Sequence, residues 1–230
     1  NTTASNNTAV GASALIANTT GASNTAVGSL ALDANTTGSF NTAHGVHALG
    51  ANIVGVECTA VGYAALDSNT GSYNTAVGSD TLGSNTSGTF NTAIGRNALL
   101  ANTTGGSNQA GSNSVAVGNG ALSNQLGSGN MFNIAVGPDA GAAVTTGVNN
   151  TLIGGLAGDA ITTGSSNAAL GYNSLGLNTT GARNVAMGAE SLSANTTGAD
   201  NVAIGEDALT ANTTASNNTA VGTDSLKANT

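Results

Sequence analysis

The chain has 230 residues and a formal net charge of −8, from 11 Asp and Glu residues against three Lys and Arg residues. Only 6% of the residues are charged, too few for the clustered ionisable groups of an enzyme active site, and the negative balance argues against nucleic acid as a partner. The hydrophobic fraction of 39% is too high for a disordered chain. We therefore expect a folded, non-catalytic protein.

A motif of the form Asn-Thr-Ala-Val-Gly recurs 13 times along the chain. Its period is 17 residues, with one deletion near Thr70 and two insertions, at 101–113 and 123–132. A fixed period of this length is typical of a solenoid, in which each repeat forms one coil. The motif glycines are Gly11, Gly28, Gly45, Gly62, Gly78, Gly95, Gly118, Gly137, Gly154, Gly171, Gly188, Gly205 and Gly222.

Each repeat predicts one short strand and one turn. The motif alternates β-branched Thr and Val with Asn, Ala and Gly, which is the period of a strand. Leu stands four residues after the glycine in 11 of the 13 repeats, where we expect a second, shorter extended piece, and an Asn-Thr-Thr-Gly turn follows. The predicted fold is therefore all-β, a parallel β-solenoid of 13 coils about 60 Å long.

The two faces of each predicted strand differ in side-chain size. We expect the Thr and Val face to form the core, so that His44, which replaces Val, points inward. The Ala and Gly face would let another backbone approach closely. Because one coil contains few apolar side chains, we predict that identical chains pack together on this Ala and Gly face around a symmetry axis.

The repeats resemble those of a known family of fibrous proteins. The stretches NVAIG (201–205), NVAMG (184–188) and SVAVG (114–118), each followed after two further residues by Ala-Leu or Ser-Leu, look like the repeats in head domains of trimeric autotransporter adhesins and in phage and bacterial tail-fibre-like proteins. This resemblance covers essentially the whole chain. It implies a left-handed parallel β-roll, a homotrimer, and an extracellular location on a cell surface or virion. The adhesin-head repeat is shorter than 17 residues, which is a departure from that pattern.

Four aromatic residues stand five positions before a motif glycine: Phe40, Tyr73, Phe90 and Phe132. Stacking of the coils would place Tyr73 and Phe90 on adjacent rungs. This row could contact a glycan or a cell-surface receptor. Alternatively, it covers the edge of the roll or contacts another copy of the chain.

Three acidic residues, Glu190, Asp207 and Asp224, stand two positions after successive motif glycines. Stacked carboxylates could be bridged by Ca²⁺, or they could form a solvated row without a metal. Arg183 and Asp200 share one repeat position on neighbouring coils, and we expect them to pair. No other cofactor is expected.

The turns contain possible glycosylation sites and the insertions are candidate contact loops. Asn-Thr-Thr matches the acceptor pattern at Asn18, Asn35, Asn102, Asn178, Asn195 and Asn212. The insertions at 101–113 and 123–132 interrupt the period and are candidate sites for a specific partner, because solenoid insertions form loops. Cys58 replaces a repeat Asn, where we expect a small buried side chain.

Three functions fit these features. The first is a structural or adhesive fibre segment, because residues 1–230 form a single repeat domain whose pattern runs to both ends, as in a segment of a longer fibre. The second is an ice-binding solenoid, since stacked Asn-Thr-Thr turns could form a regular Thr array. The third is a surface-filament subunit that assembles end to end and is stiffened by cations. No apolar run is long enough for membrane insertion.

Overall fold

The computed structural model describes residues 3–102 and 111–229. Its described part contains one parallel β-sheet of 13 strands that follow one another in sequence order, as predicted. Each strand has three residues and ends immediately before a motif glycine. The strands are β1 (Thr8–Val10), β2 (Thr25–Val27), β3 (Thr42–His44), β4 (Thr59–Val61), β5 (Thr75–Val77), β6 (Thr92–Ile94), β7 (Val115–Val117), β8 (Ile134–Val136), β9 (Thr151–Ile153), β10 (Ala168–Leu170), β11 (Val185–Met187), β12 (Val202–Ile204) and β13 (Thr219–Val221).

Equivalent residues of neighbouring repeats are paired throughout the sheet. Ala9 faces Ala26 between β1 and β2, and Ala203 faces Ala220 between β12 and β13. The deletion and the insertions leave this register intact, because equivalent motif residues still face one another. This holds for β4 and β5, on either side of the deletion, and for β6 and β7, on either side of the first insertion. The repeat therefore places each of its 17 positions in a column that runs along the solenoid.

The interior lies on the opposite strand face from the one we predicted. The central Ala of the strands has 0–3% exposure on β2–β8 and β10–β13, whereas the flanking Thr and Val side chains are half-buried or exposed. The interior of a 17-residue coil already contains a Leu and two amide side chains, so only a small side chain fits beside them. The Ala face is thus the chain's own core and no surface for another chain, and His44 is exposed.

The leucine that follows each motif glycine lies in a turn, and the extended piece predicted there is absent from the described residues. These leucines are nearly all fully buried, and their φ angles lie between +49° and +55° wherever Leu occupies the position, for example +51° at Leu32. The left-handed conformation lets the chain reverse direction sharply while the side chain still points inward. Turns therefore make up most of each coil outside the strand.

The motif glycine allows the coils to stack closely. Gly11 has a φ of +132°, and a β-carbon at this position would lie 2.5 Å from the carbonyl oxygen of Gly28 on the next coil. Any other side chain would push these two coils apart.

Two columns of buried amides run through the core. On most coils the Asn side chain before the strand accepts a hydrogen bond from the backbone of the next coil, as when Asn41 N–H donates to Asn24 Oδ1 at 2.9 Å. The turn Asn side chains form a second column, in which Asn35 Nδ2 donates to Asn18 Oδ1 at 2.9 Å. Each coil is thus connected to the next by side-chain as well as backbone hydrogen bonds.

Candidate functional site

The most extensive candidate surface is the outer face of the sheet. Two columns of side chains flank the buried Ala column and are half-buried or exposed along the sheet. One column holds Thr, Val, Ile or Ala, and the other holds Val, Ile, Leu, Met or His44. We call these two columns the outer face. Neither column contains a carboxylate, a Lys or an Arg, so the outer face is a strip without acidic, Lys or Arg side chains along the solenoid.

The two halves of the outer face differ in polarity. On β1–β6 the first residue of every strand is Thr. None of these Thr hydroxyls makes a hydrogen bond within the described part of the chain. On β7–β12 the first residue is apolar on every strand except β9, so this half exposes mainly aliphatic side chains. A pocket of about 180 Å³ lies there, lined by Thr151, Ile153, Ala168, Ala169, Leu170 and Met187.

The aromatic row lies at a sharp corner just before the strands. We call the residue five positions before each motif glycine the corner residue, and it has a positive φ on every coil. The four aromatic corner residues are exposed, with 62% exposure at Phe40, 43% at Tyr73, 56% at Phe90 and 52% at Phe132. A left-handed backbone is uncommon for bulky residues, and Asn, Ser or Asp occupies most other corners. These aromatic side chains therefore strain the backbone without filling the core.

Two of the four rings contact one another, as expected from the repeat. The rings of Tyr73 and Phe90, on adjacent coils, are stacked with centroids 4.8 Å apart and an angle of 6° between their planes. Glu57 is the corner residue between Phe40 and Tyr73, and Asn113 is the one between Phe90 and Phe132. The row thus reads Phe, Glu, Tyr, Phe, Asn, Phe along six coils.

The predicted row of carboxylates contains a cation from the chain itself. Lys227 Nζ lies 2.6 Å from Asp207 Oδ2 and 2.7 Å from Asp224 Oδ1, and these carboxylates raise the pKa of Lys227 above its usual value. Lys227 thus occupies the bridging position that we considered for Ca²⁺. Glu190 is exposed and takes no part in these ion pairs. Sequence reasoning did not include Lys227, although its place three residues after Asp224 was a signal.

The predicted pair of Arg183 and Asp200 is present as a two-point contact. Arg183 Nε and Nη2 each donate to one Asp200 carboxylate oxygen at 2.7 Å. The hydrogen bond from Arg183 lowers the pKa of Asp200. Both groups are exposed to solvent, so we expect the pair to contribute little to stability.

A second acidic group was missed by the sequence analysis. Asp33 and Asp67 lie on either side of Gly50, because a β-carbon on Gly50 would be 2.5 Å from Asp67 Oδ1 and 3.6 Å from Asp33 Oδ1. Burial raises the pKa of Asp67, and Asp33 and Asp80 raise it further, while His47 lowers it. Among the described residues, no three His, Cys, Asp or Glu side chains are grouped closely enough to hold a metal ion.

The turn residues are engaged in the fold itself. The first Thr of several turns donates its hydroxyl to a carbonyl oxygen of the next coil, as Thr162 Oγ1 does to Thr179 O at 3.1 Å. The hydroxyls of these first Thr residues are therefore engaged between coils, whereas the second Thr of the turns, such as Thr37 or Thr163, is exposed. The Asn residues of the six acceptor patterns are buried, with exposures of 0–2%. Cys58 is also buried, as predicted, and burial raises the pKa of its thiol.

The second insertion folds back onto the solenoid. Within 123–132, Asn130 pairs with Ser112 in a parallel bridge, and Met131 is buried at 1% exposure. Leu126 and Phe132 are the apolar residues of this segment that remain exposed. Most of the first insertion, residues 103–110 of 101–113, lies outside the described residues.

The comparisons with known proteins do not assign the chain to a family: no family model, no curated protein and no solved structure matches it. In the described part of the chain, no helix is sufficiently long and apolar to cross a bilayer.

Proposed function

We propose that the chain is a rigid segment of an extracellular fibre, structural or adhesive, in which three copies pack together through their outer faces. One observation carries this proposal, namely the strip of exposed Thr, Val and Ile side chains on 13 parallel strands. Exposed apolar strips of this extent are typical of protein–protein interfaces. The resemblance to trimeric adhesin heads and tail fibres supports the number three and a location on a cell surface or virion.

The dimensions of the outer face suit such an interface. Twelve coil steps of about 4.8 Å give a length of about 60 Å, and two columns of side chains give a width of about 12 Å. The resulting area, on the order of 700 Å², is close to the roughly 800 Å² that each partner buries in a standard interface. The aliphatic half on β7–β12 would contribute most of the hydrophobic stabilisation.

The test is the mass of the particle in solution, measured by light scattering. We expect three times the chain mass of 21.8 kDa for the native sequence. Val136→Asp combined with Ile204→Asp places carboxylates on the outer face and should reduce the mass to that of one chain, with the circular dichroism unchanged. Thr163→Asp, at an exposed turn residue, is the matched control and should leave the trimer intact. A native chain that is monomeric and folded would overturn the proposal.

A second candidate function, ice binding, is favoured by one specific observation. The Thr hydroxyls of β1–β6 are unengaged within the described residues and repeat at the coil spacing beside a column of mainly Val side chains. This strand array is a second Thr array, in addition to the turn array that the sequence suggested. The measurement is thermal hysteresis of the chain. A freezing-point difference that is abolished by Thr59→Asp would support ice binding, whereas its absence would exclude it.

A further inference from the structure

The aromatic corner row contains a gap between Phe40 and Tyr73, and Glu57 is the corner residue within it. We propose that Phe40, Glu57 and Tyr73 form a binding site for one cationic side chain of a partner protein, namely the guanidinium group of an arginine. This inference does not depend on the proposed fibre, because none of the three residues belongs to the outer face.

The backbone fixes the spacing of the three residues. Glu57 N–H donates to Ser39 O at 3.1 Å and Tyr73 N–H donates to Val56 O at 3.0 Å, so the three corners lie on consecutive coils in register. The stacked rings of Tyr73 and Phe90 show that one coil step corresponds to a centroid separation of 4.8 Å. Phe40 and Tyr73 are two coil steps apart. A flat group placed halfway between them would therefore lie one stacking distance from each ring.

The charge of the gap determines which flat group fits. Glu57 is exposed, and its carboxylate has no ion-pair partner among the described residues. A guanidinium group is planar, stacks on aromatic rings and pairs with a carboxylate through two N–H groups. The excess of 11 acidic over three basic residues also attracts a cation rather than an anion.

The second gap in the row lacks this charge. Asn113 lies between Phe90 and Phe132, and its Nδ2 donates to Asn130 Oδ1 at 2.7 Å. The backbone hydrogen bonding also differs at this gap. On other coils the corner residue donates its N–H to the preceding coil, whereas here Met131 N–H donates to Ser112 O in place of the corner residue Phe132. We therefore assign cation binding to the Glu57 gap alone.

The experiment is an NMR titration of the whole chain, with ring resonances of Phe40 and Tyr73 assigned. The probe is N-acetyl-arginine methylamide, and the matched neutral probe is N-acetyl-citrulline methylamide, which has nearly the same shape without the charge. We expect saturable shifts of both rings with the arginine probe and none with the citrulline probe.

Three variants locate the site. Glu57→Gln removes the charge, and Phe40→Ser removes one ring while introducing a residue that other corners carry, so both should keep the fold and weaken binding about five- to tenfold. Asp139→Asn removes a remote exposed carboxylate and should leave binding unchanged. Equal shifts with both probes, or undiminished binding by Glu57→Gln, would overturn the proposal. Saturable binding of a neutral oligosaccharide that survives Glu57→Gln would assign the row to carbohydrate instead.

Discussion

Leu152 fills the space that Gly141 leaves empty in the core. Leu152 stands where the other 12 motifs have Ala, and Gly141 stands where 11 repeats have Leu. A β-carbon on Gly141 would lie 2.7 Å from Leu152 Cδ1, and one on Gly158 would lie 2.8 Å from Leu152 Cδ2. Leu152 thus fills the space of the turn leucines of two coils, together with Val144 and Ile161, which stand where most repeats have the turn Asn.

This relationship predicts strong coupling between the two positions. Leu152→Ala alone should lower the free energy of unfolding by about 2–5 kcal/mol, because it opens a cavity in a fully packed core. Gly141→Leu alone should also destabilise the chain, because the new side chain meets Leu152. The double variant restores the repeat residues at these two positions, and Gly141 already has a positive φ, +60°, close to the values that the turn leucines adopt.

A double-mutant cycle in denaturant measures this coupling. We expect the loss of unfolding free energy in the double variant to be smaller than the sum of the two single losses by at least about 1 kcal/mol. Ala186→Val, on a coil that retains its turn leucine, serves as a control for overpacking without compensation. Additive effects of Leu152→Ala and Gly141→Leu would show that the two side chains do not share one space.

The sequence predicted the strands but assigned their faces wrongly. Alternation in Asn-Thr-Ala-Val-Gly defines two faces for each strand, and hydrophobicity favoured the Val face as the core. The deciding quantity is the width of the coil, which depends on where Leu and the two amides point. Leu32 points inward from a turn with φ of +51°, a conformation that Leu rarely adopts and that no propensity indicates. Leu152 was the available signal, since a larger residue replaces Ala where the turn leucines are absent.

The sequence predicted contacts between residues that occupy the same repeat position on neighbouring coils. The fixed period placed Tyr73 beside Phe90 and Arg183 beside Asp200, and the structure confirms both contacts. The repeat could not predict contacts between different columns. Lys227 and Asp207, for example, belong to different columns. Asp33 and Asp67 belong to one column, and they were missed for another reason, because their approach to one another depends on the missing side chain of Gly50.

Replacement of Phe40 by Asn should stabilise the protein. Phe40 has a φ of +61° and 62% exposure, and a left-handed backbone costs a bulky residue about 1 kcal/mol more than it costs Asn. Tyr73→Asn relieves the same strain but loses the stacking with Phe90, which contributes about 0.5–1.5 kcal/mol. Denaturant titration should therefore show a gain for Phe40→Asn and almost no change for Tyr73→Asn. A loss of stability in Phe40→Asn would mean that this ring packs favourably in solution.

Asp67 should make the protein more stable as the pH falls. Its pKa is raised above the usual value of about 3.9, mainly by burial, so the folded chain binds this proton more tightly than the unfolded chain. The resulting stabilisation is complete below the unfolded pKa and is lost as the pH rises through the folded pKa. Asp67→Asn should therefore be more stable than the native chain at pH 7, and this advantage should disappear near pH 3.5.

Asp200 provides a control for that measurement, because its pKa is shifted in the opposite direction. The hydrogen bond from Arg183 lowers its pKa, so its stabilisation is present above the unfolded pKa and is lost as the pH falls. Asp200→Asn should thus be slightly less stable than the native chain at pH 7 and equal to it at low pH. If Asp67→Asn and Asp200→Asn showed the same pH dependence, the assigned causes of both shifts would be wrong.

The six buried Asn-Thr-Thr sites should resist glycosylation in the folded protein. Asn35 is fully buried, and its Nδ2 donates to Asn18 Oδ1 at 2.9 Å and to Gly38 O at 3.0 Å, so no glycan can be attached without opening the coil. We expect peptide mapping by mass spectrometry to find no glycan at these six Asn residues after the folded chain is incubated with an N-glycosyltransferase, while the peptide Ala-Asn-Thr-Thr-Gly is modified. The exposed Asn6, Asn149 and Asn217 also match the acceptor pattern and are scored separately. Phe132→Ser creates an acceptor at the exposed Asn130 and should gain one glycan. Modification of Asn35 in the folded chain would show that the turns open frequently, because the buried amide column would then have to be broken in solution.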